Sequence, residues 1–269
     1  MKIFYKTDIP EKYKSSALAI GNFDGVHLGH QKVFLKTKAL AKKKKIKFGI
    51  LTFTPLPIMF FNKKIKNYRL VSEIQKLKLL KNNKVDFVIN IKFNKKFSKI
   101  SAENFIKKII YKKLNVKLLA VSNNFKFGRS RKGNVNLLKK FSYKYGYKVL
   151  NVNPYKNLKK IVSSTKIRKY LQKGKINLAN KLLSKTWFIE GIVRKGKQLG
   201  RKLGYRTCNI NIKNYILPKK GIYAVKVLIE NKRKIYGGVA YLGSRPTFGG
   251  NEIFLEINIF GIKKNLYNK

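Results

Sequence analysis

The chain is poor in acid, sulfur and histidine. Its 269 residues include 10 Asp and Glu together, one Cys and two His. A lone cysteine, Cys208, excludes an intramolecular disulfide and suits a reducing compartment. No stretch approaches the ~18–20 uninterrupted apolar residues of a membrane span. The residues from Met1 to Asp8 also lack an apolar run of the signal-peptide kind. These absences predict a soluble, cytoplasmic protein with no membrane partner.

Against so few acids stand 64 Lys and Arg, giving a net charge of +54. Such a balance on its own points to nucleic acid or an anionic membrane. A nucleic-acid surface, however, gathers its charge on a stripe or tail. Here the lysines are spread throughout, as in Lys42-Lys43-Lys44-Lys45, Lys95-Lys96, Lys139-Lys140 and Lys219-Lys220. Asn, Ile, Tyr and Phe are abundant too, and their codons, like those of lysine, are rich in A and T. The charge is therefore read as compositional drift, and no specific nucleic-acid partner is expected. A basic nucleic-acid-binding protein without catalysis is the competing reading. In either case a positive field attracts polyanions and weakens with salt.

What is present supports a folded chain. Hydrophobic residues make up 44% and aromatic residues 13%, enough for a core and too much for disorder. The length allows one large domain or two ordinary ones. Strand-like runs at 17–21, 47–53, 87–91 and 118–121 alternate with helical patterns at 30–43, 70–81 and 102–111. That alternation predicts a parallel sheet with helices on its faces, which binds ligands beyond the carboxyl ends of its strands. After about Leu183 the pattern changes to strand-like runs at 187–193, 221–229, 235–242 and 253–260. The expected architecture is thus α/β over 1–183 and a small β-barrel over 184–269, joined near 182–186.

Two constellations carry chemistry. In Gly21-Asn22-Phe23-Asp24-Gly25-Val26-His27-Leu28-Gly29-His30, both histidines of the chain sit three apart at a glycine-rich turn entering a helix. Imidazole N–H groups and helix-end amides donate to phosphate oxygens. Two other readings stay open here: histidines placed by chance, or a zinc site, for which Asp24 is the one suitable third ligand near in sequence. The second constellation is Val162-Ser163-Ser164-Thr165-Lys166-Ile167-Arg168. It is either an ordinary helix cap or, beside the first, the other jaw of a triphosphate clamp.

Residues 21–31 resemble the nucleotidyltransferase signature of the bacterial bifunctional riboflavin kinase/FAD synthetase family, and 162–168 its Ser-Ser-Thr-x-x-Arg element. Asn123-Asn124-Phe125-Lys126-Phe127-Gly128 resembles its flavin-receiving segment, and Phe97-Ser98 and Ser101-Ala102-Glu103-Asn104-Phe105 match in order and spacing. Gly200-Arg201-Lys202-Leu203-Gly204-Tyr205-Arg206-Thr207-Cys208-Asn209 is similar to the kinase motif. Gly221-Ile222-Tyr223-Ala224-Val225, Gly243-Ser244-Arg245-Pro246-Thr247 and Leu255-Glu256 continue it.

The resemblance implies a Rossmann-like nucleotidyltransferase domain making FAD from ATP and FMN, and a barrel phosphorylating riboflavin with a second ATP. It implies that His27 and His30 hold the triphosphate with Gly21, Asn22, Phe23, Ser163, Ser164, Thr165 and Arg168. Asn124 would lie at the flavin. Gly200, Arg201, Thr207 and Asn209 would serve the kinase nucleotide, with Thr207 and Asn209 at Mg²⁺, and Glu256 would be the base. Self-association, if any, is expected to be weak.

The departures fall unevenly. Thr54 and Leu56 stand where the family usually has an acid and a histidine, Arg206 replaces a proline, Cys208 an alanine and Tyr241 an asparagine. Asn265-Leu266-Tyr267-Asn268-Lys269 resembles a motif that helical sequence follows in the family, so a shortened kinase module is expected. A kinase domain retained only as a scaffold is the alternative.

Overall fold

The computed structural model describes residues 1–157, 160–195, 206–230, 234–244, 253–262 and 264–269. The chain divides into two compact units: 1–66 with 73–166 and 181–185, and 67–72 with 167–180 and 186–269.

The first unit is built on a six-stranded parallel sheet. Its strands are β1 (Lys2–Phe4), β2 (Ala17–Ile20), β3 (Phe48–Thr54), β4 (Phe87–Lys92), β5 (Leu118–Ser122) and β6 (Lys148–Val152), in spatial order β1-β4-β3-β2-β5-β6. The strand order reverses between β2 and β5. The central strands read as near-continuous apolar runs because both faces are covered. Successive residues of each strand enter opposite cores. Leu18, Ile20, Leu51, Phe87, Ile89 and Leu119 pack with Phe105, Ile106, Ile110 and Leu138. Ala17, Ala19, Ile50, Val88 and Ala120 pack with Val33, Phe34, Ala41 and Leu80.

Helix α1 (Leu28–Lys43) buries Val33, Phe34, Thr37 and Ala41, and ends with Lys42 and Lys43 in its last turn, where cations complement the helix dipole. Two further helices, α2 (Pro57–Phe61) and α3 (Glu73–Asn82), follow β3. The short α4 (Lys95–Ser98) is capped by Asn94, and α5 (Ala102–Asn104) by Ser101. Beyond α5 the helix continues in π form over Phe105–Lys113. Helix α6 (Val135–Tyr145) closes on Gly146 in the left-handed conformation. A two-stranded ribbon, β7 (Lys156–Asn157) with β8 (Lys160–Ile161), precedes α7 (Ser164–Gln172) and α8 (Ile176–Leu183).

The second unit carries a five-stranded antiparallel sheet made of β9 (Val193–Arg194), β10 (Thr207–Ile210), β11 (Gly221–Leu228), β12 (Ile235–Ser244) and β13 (Ile253–Ile259). The order is β11-β12-β13-β10-β9. Ala240, Leu242 and Leu255 form its core with Ile212, joined by Ile210, Tyr223, Val225 and Ile257.

Two expectations shift. The helix anticipated from Leu70 begins at Glu73, because Leu70 serves the second unit, its carbonyl accepting from Trp187 Nε1 at 2.7 Å. The strand anticipated over Trp187–Val193 shrinks to Val193–Arg194. The Trp187 N–H is taken by Asn180 Oδ1 at 2.7 Å, and an amide satisfied by a side chain adds nothing to a ladder.

Candidate active site

Strand β2 ends at Ile20, and the chain turns sharply before entering α1. The turn runs through positive φ at Phe23 (48°), Gly25 (83°) and Val26 (42°). A β-branched residue in the left-handed region is a true outlier, and non-glycine residues held there cost about 1–3 kcal/mol each. The neighbours hold the strain in place. Val26 N donates to Phe23 O at 3.3 Å and Gly21 N to Leu51 O at 3.1 Å. Thr52 Oγ1 donates to Asn22 O at 3.2 Å, and the buried Lys76 Nζ donates to Thr52 Oγ1 at 3.2 Å.

His27 is the N-cap of α1, and its Nδ1 accepts from Gly29 N at 3.1 Å. An accepting Nδ1 leaves the proton of the neutral ring on Nε2, as a donor. The His30 ring stacks on His27 with centroids 3.6 Å apart and planes 21° from parallel. Phe23 meets His30 edge-on at 5.2 Å and Phe34 at 4.9 Å, tying the His30 ring to the buried face of α1. Among the described residues no group of three or more His, Cys, Asp and Glu could hold a metal. The zinc reading of His27, His30 and Asp24 therefore falls.

Val162 and Ser164 of the second constellation lie against the first. Ser164 Oγ donates to Asp24 O at 3.1 Å. A Cβ on Gly29 would stand 3.3 Å from Val162 O and 3.0 Å from the His27 ring, so glycine permits the close approach. Ser163 Oγ accepts from Lys166 N at 3.2 Å, capping α7, whose first-turn amides have no acceptor within the helix. Thr165 is exposed on that turn. Arg168 belongs to the second unit. There it is buried, with its guanidinium carbon 3.7 Å from the Tyr68 ring centroid and Nε donating to Tyr68 O at 2.8 Å.

Asn124 lies just past the carboxyl end of β5, the strand beside β2. Its Oδ1 accepts from Ser122 Oγ at 3.0 Å, while Asn123 Nδ2 donates to Asn153 Oδ1 at 2.9 Å. Phe125 and Phe127 stack at 5.5 Å. The histidine turn and the Asn124 loop therefore leave adjacent strands at the point where the strand order reverses, where open α/β sheets bind ligands. At the departures in this unit, Thr54 Oγ1 bonds Asn90 Oδ1 at 3.0 Å, Asn90 Nδ2 donates to Glu73 Oε1 at 2.6 Å, and Leu56 is buried.

In the antiparallel unit, Asn209 pairs with Glu256 across β10 and β13, Glu256 with Tyr241 across β13 and β12, and Thr207 with Asn258. Strand alternation puts Thr207, Asn209, Glu256 and Tyr241 on one face. Cys208, paired with Ile257, lies on the core face, where burial pushes its thiol pKa up. Glu256 is half-buried. Tyr241 meets Phe254 at 5.7 Å. Gly200 and Arg201 lie outside the described residues.

Two contributors were not legible in the sequence, Lys76 and Lys185, and Gln31 closes the histidine-bearing motif with no role assigned to it there. Gln31 Nε2 donates to Val26 O at 3.0 Å, and Lys185 Nζ to Gly25 O at 2.8 Å. In a chain with 64 basic residues, nothing in composition or spacing singles out two lysines.

A parallel sheet with a strained, histidine-bearing strand-to-helix turn at its switch point defines an α/β nucleotide-binding protein with an appended antiparallel domain. Family comparison refines this: the FAD synthetase model matches residues 9–166 and the riboflavin kinase model residues 183–269. The chain belongs to the bifunctional riboflavin kinase/FMN adenylyltransferase family. The relative so named from Buchnera aphidicola of Schizaphis graminum is 42% identical over 95% of this chain and 82% of its own length. That from Escherichia coli K12 is 34% identical over 94% and 80%. A crystal structure described as a macrolide-efflux protein from Streptococcus pneumoniae aligns at TM-score 0.83 and 28% identity, covering 99% of this chain and 86% of that one. Among the described residues no helix is long and apolar enough to cross a membrane.

Proposed function

We infer that the protein makes FAD in two steps, phosphorylating riboflavin with ATP and then transferring AMP from ATP to the FMN formed, with release of pyrophosphate. Both family matches support this, and the stacked His27–His30 pair at the switch point carries the second step. In that step an FMN phosphate oxygen forms a bond to the α-phosphorus of ATP as the bond to the β-phosphate oxygen breaks. No side chain need form a covalent bond; the protein positions the reactants and stabilises charge.

We assign adenylyl transfer to 1–183 and the kinase to 184–269, the antiparallel sheet being part of a barrel. Gly21, Asn22, Phe23, His27, His30, Ser163, Ser164 and Thr165 bind the triphosphate in this reading, Nε2 of His27 donating to phosphate. Arg168 joins them by resemblance, as Asn124 does at the flavin. On the kinase face, Glu256 accepts the proton of the ribityl hydroxyl. The oxygens of Thr207 and Asn209 suit Mg²⁺, which keeps waters and binds one or two side chains together with substrate phosphates. Mg²⁺ neutralises phosphate charge when bound. We place this chemistry in the cytoplasm, with ATP, riboflavin and FMN as the small-molecule partners.

The test is product analysis of purified protein with ATP, Mg²⁺ and either flavin. FAD and pyrophosphate are expected from FMN, and FMN and ADP from riboflavin. FAD from FMN with no FMN from riboflavin would reduce the second unit to a scaffold. Absence of both, with tight salt-sensitive nucleic-acid binding, would overturn the reading.

A further inference from the structure

The turn from Gly21 to Gly29 is strained, and the groups that hold its Gly25 and Val26 carbonyls are neither histidines nor cap serines. The carbonyl of Gly25 accepts from Lys185 Nζ at 2.8 Å and that of Val26 at 3.2 Å, while Leu183 O lies 3.3 Å from the same nitrogen. Gln31, on the first turn of α1, adds a second donor to Val26 O at 3.0 Å and donates to Ser184 Oγ at 2.8 Å. Ser184 is itself at positive φ, 55°. A short segment following α8 thus grips both carbonyls of the most strained part of the turn.

We propose that Lys185 is a positioning residue for adenylyl transfer, locking the peptide planes on either side of Val26 so that His27 and His30 face the triphosphate. This rests on the assignment of that turn as the nucleotide site. In a trans peptide the C=O of one residue and the N–H of the next point in opposite directions. Fixing Gly25 O therefore fixes the Val26 N–H, which closes the turn on Phe23 O. Fixing Val26 O fixes the His27 N–H and the angle at which the cap residue starts α1. The His27 ring is fastened to Gly29 N and carries His30 stacked upon it, so a rotation of either peptide is passed to both rings.

An ammonium suits the task. It offers three donors at one point, and three carbonyl oxygens surround it. Burial lowers the Lys185 pKa to about 8, as expected for a cation withdrawn from water to meet main-chain dipoles. The group touches no reacting atom and acts through the turn.

The test compares Lys185→Met, Lys185→Arg and Gln31→Leu in the full chain. In Lys185→Met, kcat for FAD formation should fall ~10–100-fold through misplacement of the histidines. Its KM for FMN should stay within ~2-fold, since flavin contacts are untouched. Lys185→Arg should recover to within about 5-fold, because a guanidinium also donates to both carbonyls. A purely structural role would not give that rescue with an unmoved flavin KM. Amide exchange of residues 21–30 should quicken in Lys185→Met. Full kcat in that variant, or unchanged exchange at Val26 and His27, overturns the proposal. Should Lys185→Met fail to fold, Gln31→Leu decides: a several-fold loss of kcat supports the latch and an unchanged rate overturns it. If the wild type itself forms no FAD, the assignment of the site fails, while the exchange measurement still settles whether Lys185 holds the turn.

Discussion

Two imidazoles with ring centroids 3.6 Å apart are the smallest unit to which the proposed adenylyl transfer is assigned. Replacing His30 by alanine removes one donor and the stacking surface of the other ring. FAD formation should fall by at least ~10²-fold, in line with the loss of one preorganised donor to developing charge, with folding retained. An unchanged rate in a coupled pyrophosphate assay would refute the role. The charge on Lys185 makes a second prediction at this scale. Its pKa falls from the ordinary 10.5 to about 8 in the fold, so between those values the unfolded chain holds more protons. Stability contributed by this group therefore rises with pH from 8 to 10.5. Urea unfolding at pH 7 and pH 10 should show the wild type gaining on Lys185→Met as pH rises; a constant gap would contradict the shift. The tyrosines act with the opposite sign, since burial raises the pKa of Tyr215 and Tyr223, and their effect cancels in that difference.

Strands decide what single residues cannot. Asn209, Glu256 and Tyr241 are remote in sequence, yet they form one row across β10, β13 and β12. Glu256→Gln should abolish FMN formation from riboflavin and leave FAD formation from supplied FMN within about 2-fold. Equal loss of both in the two assays would contradict separate sites. In the parallel sheet, Gly49 pairs with Phe87 across β3 and β4. A Cβ there would run into the Phe87 ring, so that ring lies over the space a side chain would fill. Gly49→Ala should destabilise by about 1–3 kcal/mol through overpacking, read as a lowered denaturant midpoint. A neutral result would mean that the ring shifts freely.

Over the whole molecule the charge of +54 sets the long-range field. A field of that sign raises the local concentration of ATP and is screened over ~8 Å at physiological salt. The KM for ATP should therefore rise several-fold between low and physiological ionic strength, with kcat little changed. A flat KM would show that the excess charge plays no part in capture. The basic residues themselves are scattered along the chain, across both matched modules at 9–166 and 183–269.

Much of this was readable in advance because local chemistry and tertiary structure agree. The apolar runs at β2 to β5 are continuous since both faces of a parallel sheet are buried, and the glycines and histidines of the first turn are adjacent in the chain. Short, weakly patterned elements escaped: β1 and β6 are edge strands whose burial is partial, and such strands lack the apolar signal of central ones. The run from Trp187 looked like a strand by composition, but side-chain partners took its hydrogen bonds. Sequence alone determined the two modules, their order and the histidine turn, because those depend on residues close together along the chain. Only the tertiary structure decided that Ser164 meets Asp24, that Glu256 faces Asn209, and that one lysine among 64 basic residues grips the turn. Each of these joins residues far apart in the chain, and the packing of the sheets fixes which of many similar side chains arrives.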